Sequence, residues 1–98
     1  MIVRLKQNPA SALIRRELDA RQISQKAAAS ALHVSENFIS QICRSKKSIP
    51  TEFALKIECY LGIRAQLLLN IQSEWKLREA RIKNKEALAQ IKPSLQPV

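Results

Sequence analysis

Glycine occurs once in this 98-residue chain and histidine once, and both scarcities narrow the chemistry open to it. One glycine cannot build the glycine-rich loop that cradles a nucleotide phosphate. One histidine, with no paired carboxylates at a plausible spacing, leaves general acid–base and metal-assisted catalysis without their parts, so no enzyme, metal or cofactor is expected. Four aromatic residues leave core packing to Leu, Ile and Ala, for which a small helical bundle is the natural solution. Cys43 and Cys59 form neither a C-x-x-C pair nor a metal-ligand cluster, and both fall at apolar positions of predicted helices, where they read as buried free thiols. Apolar runs such as Leu67 to Leu69 are far too short to span a membrane, and Met1 to Gln7 lacks the apolar region of a secretory signal. A cytoplasmic protein without membrane contact is expected. Repeats and low-complexity tracts are absent.

What the chain has in excess is positive charge. Seventeen Lys and Arg against eight Asp and Glu give +9 and a pI near 10.2, a field that attracts a polyanion. Residues 1–50 carry +6 and residues 51–98 carry +3, so the N-terminal half is the more basic. The length implies one domain.

Helical signals follow one another along the sequence. Asn8 before Pro9 reads as a cap with proline at the first helical position, and Ala12, Leu13, Ile14 and Leu18 continue at helical spacing to about Arg21. After a loop at Lys46, Lys47 and Ser48, Thr51 is expected to cap a helix whose apolar residues Ala54, Leu55, Ile57 and Leu61 run to a stop at Gly62. From Arg64 to about Ile91 one long helix is predicted, with a stripe of Leu67, Leu68, Ile71, Trp75 and Ile82 that thins as Arg78, Arg81, Lys83 and Lys85 accumulate, and with Pro93 and Pro97 ending it. The stripe packs either internally or across a dimer seam, because so long a helix has more apolar surface than one short partner covers. Ile2, Val3 and Leu5 form an extended arm in this reading.

The most informative stretch is Ser24 to Ile42, S-Q-K-A-A-A-S-A-L-H-V-S-E-N-F-I-S-Q-I. Ser24 and Ser35 are each placed to accept a bond from a backbone N–H two or three residues on, which fixes the start of two short helices. Ala27, Ala28 and Ala31 let the first lie close to its neighbour, and Leu32, Val34, Ile39 and Ile42 wedge the crossing. His33 falls in the turn between them, where a left-handed backbone is often needed and His tolerates it. Such a pair is a helix-turn-helix, whose second helix reads DNA. Its outward residues Glu36, Asn37, Ser40 and Gln41 can exchange hydrogen bonds with base edges, although a solvated helix face would look the same. Asn and Gln pair bidentately with adenine, while Glu36 either accepts from cytosine N4 or favours the positive end of its own helix.

From Asn8 to about Ala80 the chain resembles HigA-type antitoxins of the Xre/Cro helix-turn-helix family. The matching pieces are N-P-A-S-A-L-I-R-R-E-L, the motif itself, K-K-S-I-P-T-E-F-A-L-K-I and, most specifically, L-L-L-N-I-Q-S-E-W-K-L at 67–77. Two departures stand out. The family usually opens with Pro-Gly-Glu where this chain has Pro9-Ala10-Ser11, and it usually has Asn-Gly where this chain has Arg44-Ser45, so a residue with a side chain must take any left-handed turn there. The resemblance implies an all-α, lambda-repressor-like bundle of about five helices with an extended C-terminal helix. It divides the chain into an arm at 1–7, a DNA-binding domain at 8–75 and a helical extension and tail at 76–98. It also implies an operator in the form of an inverted repeat, a homodimer and a HigB-type, RNA-cleaving toxin as partners. Gln25 matches the position that steadies the first motif helix on a phosphate, and Lys46 and Lys47 match the loop that follows the DNA backbone. Lys26, Ser35 and Arg44 border that surface and join the phosphate set. Toxin contact is expected on the first helix and arm, with Glu17 and Asp19, or on the last helix through Glu74, Glu79 and Glu86.

Three functions fit this sequence: a DNA-binding antitoxin that represses its own operon, a free-standing phage-like repressor, and a basic protein that binds nucleic acid by charge alone. The third does not need the polar tip from Asn37 to Gln41.

Overall fold

The computed structural model describes residues 6–94, and the described residues are helical throughout their ordered elements, with no strand among them. The helices are α1 (Pro9–Ala20), α2 (Gln25–Leu32), α3 (Glu36–Cys43), α4 (Thr51–Leu61), α5 (Ala65–Lys83) and α6 (Lys85–Ala89). An all-helical bundle is therefore as expected, with six helices in place of about five. The expected arm at Ile2, Val3 and Leu5, and Pro97 in the tail, lie outside the described residues.

Caps fix three of the starts. Asn8 Oδ1 accepts from Ala10 N at 3.0 Å, Ser24 Oγ from Ala27 N at 3.0 Å and Ser35 Oγ from Phe38 N at 3.0 Å, each satisfying a first-turn donor that has no partner within its helix. Thr51 does not cap α4. It is the first helical residue, and Pro50, extended at φ −70° and ψ 155°, holds the cap position without a side-chain bond. Helix α5 has no cap from its own Arg64; instead Glu58 Oε1, on α4, accepts from Ala65 N at 2.8 Å.

The stops of the first four helices follow one rule, a left-handed residue. Helix α4 ends at Gly62 with φ 76°, where only the backbone conformation and no crowding calls for glycine. Helices α1, α2 and α3 end without glycine, at left-handed Gln22 (φ 57°), His33 (φ 58°) and Ser45 (φ 58°). The long helix expected from Arg64 to Ile91 breaks at Asn84 (φ −106°, ψ 18°), whose backbone N and Nδ2 both donate to the Ala80 carbonyl, at 2.9 and 2.8 Å. Its end at Ala89 precedes Pro93, which is not the stop.

The core is aliphatic. Ile14 and Leu18 of α1, Ala28, Ala29 and Leu32 of α2, Ile39 and Ile42 of α3, Phe53, Ala54, Ile57 and Leu61 of α4, and Leu68 of α5 are buried together, and α1, α2, α4 and α5 close around α3 and one another. Ala28 and Ala29 make the close approach of α2; Ala27 and Ala31, expected there, are exposed, because the buried face of so short a helix is set by Leu32 three and four residues on. Leu55 is exposed at 51%, and Cys59 is exposed while Cys43 is buried, so only one of the two thiols belongs to the core. In the α5 stripe Leu68 is buried, Ile71, Trp75 and Ile82 are half-buried, and Leu67 is exposed.

A left-handed residue with a Cβ costs roughly 1–2 kcal/mol. Gln22 is exposed, so Gln22→Gly is expected to stabilise the fold by about 0.5–1 kcal/mol after the entropy that glycine loses on folding. Urea unfolding followed by circular dichroism measures it, and a lower midpoint in the variant would contradict the account.

Candidate nucleic-acid interface

Helix α3 has eight residues and two unlike faces. Ile39, Ile42 and Cys43 are buried, Phe38 is half-buried, and the remaining residues look outward: Glu36 and Asn37 are exposed, Ser40 and Gln41 half-buried. Sequence reasoning placed these four on one polar face, and the structure brings them together there. Glu36 is the first residue of α3, where its carboxylate complements the positive end of the helix.

Gln25 and Lys26 open α2 and are exposed, with Ser24 capping beneath them. Ser35 is exposed; its oxygen accepts from Phe38 N, which leaves its hydroxyl proton free to donate outward. Arg44 closes α3 and is exposed. Lys46 and Lys47 are exposed in the loop between α3 and α4, and both their backbone N–H groups donate to the Gln41 carbonyl, at 2.8 and 3.3 Å. The loop thus hangs from Gln41, the last residue of the polar face of α3.

Several residues that sequence reasoning passed over support this surface. Lys47 Nζ lies 5.1 Å from the centroid of the Phe38 ring, which in turn meets Phe53 edge-on at 5.1 Å and 68°. The signal was the interruption of the polar run by one aromatic at Phe38. Gln72 is buried within the apolar stripe of α5, four residues after Leu68, a placement that marks a polar side chain with internal partners. Arg15 Nη1 donates to the Cys43 carbonyl at the end of α3, at 3.3 Å. Burial pushes the Cys43 thiol above its ordinary pKa, with Arg15 acting against the shift and Asp19 with it. Among the described residues no cluster of His, Cys, Asp and Glu is placed to hold a metal, and no helix is long and apolar enough to cross a membrane.

Two capped helices, crossed through Ala28, Ala29, Leu32, Ile39 and Ile42 and joined by left-handed His33, are the geometry that defines the motif, and a helix-turn-helix family model matches residues 14–68. The chain belongs to the helix-turn-helix family. Within it, the chain is 36% identical over 73 residues to virulence-associated protein I of Dichelobacter nodosus, an alignment covering 74% of this chain and 68% of that protein. Among solved structures it is similar to Pseudomonas aeruginosa antitoxin HigA with the higBA promoter, at 32% identity and a TM-score of 0.80, covering 88% of this chain and 96% of that one. It is also similar to a Pseudomonas aeruginosa protein in complex with its 18-bp operator DNA, at 30% identity and a TM-score of 0.80, covering 98% and 100% of the two chains. The resemblance to HigA-type antitoxins of the Xre class, read from Asn8 to about Ala80 and most specifically at 67–77, is thus seen in the whole helix-turn-helix fold.

Proposed function

We propose that this protein is a sequence-specific DNA-binding antitoxin that represses its own operon and neutralises a HigB-type, RNA-cleaving toxin. The observation that carries the DNA half is the single surface formed by the α3 polar face, the start of α2 and the Lys46–Lys47 loop, on a fold shared with structures holding a promoter and an operator. Asn37 and Gln41 pair with base edges in the major groove, with Glu36 and Ser40 beside them. Gln25, Lys26, Ser35, Arg44, Lys46 and Lys47 meet the phosphates and set the register of α3 in the groove. Reading a base and contacting a phosphate respond differently to mutation, so the two roles separate experimentally.

One α3 touches too few base pairs to select a site, so the protein acts as a two-fold dimer on an inverted repeat. Leu67, Leu77, Leu88 and Ile91 are exposed along α5, α6 and the segment after them, and this uncovered apolar surface supports a seam running from Leu67 past Trp75. The toxin half rests on the HigA likeness and on surface outside the DNA face, with Asp19 and half-buried Glu17 on α1, or Glu74, Glu79 and Glu86 on α5 and α6, as acidic partners for a basic enzyme.

Gln41→Ala is expected to cost ~1–3 kcal/mol on the operator and to relax preference at one base pair. Lys46→Ala should weaken binding to all duplexes alike and lower the salt slope by about 1. Equal losses on operator and random DNA for Gln41→Ala would remove the base-reading role. Sedimentation at micromolar concentration should show a dimer, and a monomer both free and on DNA would refute the seam. Co-expression with the adjacent reading frame tests the toxin: the neighbour should arrest growth alone, copurify with this chain and lose its toxicity beside it. A harmless neighbour, or one that neither binds nor is neutralised, leaves a free-standing repressor.

A further inference from the structure

The loop between α3 and α4 is held at both ends by residues from outside the motif. At its far end the carboxamide of Gln72, 6% exposed on α5, closes a two-point clamp on Ile49: Ile49 N donates to Gln72 Oε1 at 2.7 Å, and Gln72 Nε2 donates to the Ile49 carbonyl at 3.0 Å. At the near end Asn8 N donates to Ser45 Oγ at 3.0 Å. The two ends are joined, because Asn8 Nδ2 donates to Gln72 Oε1 at 2.8 Å. Asn8, Ser45, Ile49 and Gln72 thereby form one chain of bonds from the start of α1 through the loop to the middle of α5. Lys46, Lys47 and Ser48, all exposed, are the residues between its two anchor points.

An apolar side chain of the same length would fill the space of Gln72 but would leave the Ile49 N–H, the Ile49 carbonyl and Asn8 Nδ2 buried without this partner, so satisfying them is the first role of the amide. The amide also adds direction, because it fixes the Ile49 peptide and the side chain of Asn8 at once. We propose that Gln72, with Asn8 as its relay to Ser45, is a positioning residue that presents Lys46 and Lys47 to the DNA backbone. This rests on the reading of the loop as a phosphate-contacting segment. A loop already in its bound shape loses less conformational freedom on binding, so the clamp acts on affinity without touching DNA.

The test is operator affinity across a series of salt concentrations, well below the melting temperature of each protein, for the wild type, Gln72→Met, Asn8→Ser, the double variant Lys46→Ala with Lys47→Ala, and that double variant combined with Gln72→Met. Gln72→Met should bind operator and random duplexes about 10-fold more weakly and lower the salt slope by about 1, as for a lost phosphate contact. Asn8→Ser keeps a cap residue on α1 and removes only the bond to Gln72, so about a threefold loss is expected. Gln72→Met added to the double lysine variant should cost nothing more, since the groups it positions are gone. A folded Gln72→Met protein with wild-type affinity and slope overturns the proposal even if it melts lower, and so does an undiminished further loss in the lysine-less background. If Gln72→Met does not fold, Asn8→Ser decides: wild-type affinity together with unchanged hydrogen exchange at the Lys46 and Lys47 amides overturns it. Wild-type binding by the double lysine variant would instead refute the phosphate reading of the loop itself, a separate result.

Discussion

Helices α1, α2 and α3 each end by turning the backbone left-handed at a residue that carries a Cβ, and the arrangement of the motif follows from those three reversals. Each reversal is closed by a bond that spans five residues: Ile23 N to the Leu18 carbonyl at 2.8 Å, Val34 N to Ala29 at 3.0 Å and Lys46 N to Gln41 at 2.8 Å. The residue just past the turn ordinarily packs back on the helix it has left. Ile23 and Val34 do so, each half-buried against the core. After α3 that position is Lys46, which is exposed. The third turn therefore lacks an apolar anchor at the position where the first two have one, and beside the buried Ile49 side chain its fixed points are polar: the Ser45 hydroxyl under Asn8 and the Ile49 peptide under Gln72. A charged residue reaches the surface at this turn because the anchoring has moved elsewhere.

The same economy governs the aromatic residues. Phe53 is buried on α4 and Phe38 leans on it from α3, so that one edge of the recognition helix rests on an aromatic pair while its other apolar residues meet only aliphatic partners. The outer face of Phe38 then lies under Lys47. A cation over a ring keeps its charge available to a second, anionic partner, whereas a salt bridge would neutralise it. Helix α3 and the loop after it thus meet at one ring, with Phe53 at its edge and Lys47 over its face.

How much of this was legible in the sequence depended on the range of the interaction. The caps at Asn8, Ser24 and Ser35, the left-handed turn at His33 and the stop at Gly62 are set by residues within five positions of one another, and local reading found them all. The outward set on α3 was legible because an eight-residue helix can bury only one face. Long-range facts were not. Some local facts were missed as well: Ala29, not Ala27 or Ala31, lies on the face of α2 that Leu32 sets. Cys59 lies two residues from both Ile57 and Leu61, off the face that Phe53, Ala54, Ile57 and Leu61 bury, so the helical period of α4 itself accounts for its exposure. The break at Asn84 is equally local, a side chain bonded to the carbonyl four residues back, and was missed because the apolar periodicity continues beyond it. Gln72 is the instructive case, since its partners lie 23 and 64 residues away, and a polar residue in an apolar stripe signals partners without saying which.

The net charge of +9 overstates what is free to act at long range. Arg15 donates to the Cys43 carbonyl at the end of α3, and Arg21 donates to the Leu61 carbonyl at the end of α4, at 2.7 Å, while also pairing with Glu17 at 3.5 Å. Arg15 lies on α1 and Arg21 caps its end, and both complement the negative ends of two other helices, a structural use of charge that holds α1 against its neighbours. The cations on the proposed DNA face are different: Lys26, Arg44, Lys46 and Lys47 are all exposed. On that reading the first half of the chain carries basic residues with two separate uses, one that assembles the bundle and one that meets the phosphate backbone, and DNA binding should draw its salt dependence from the second.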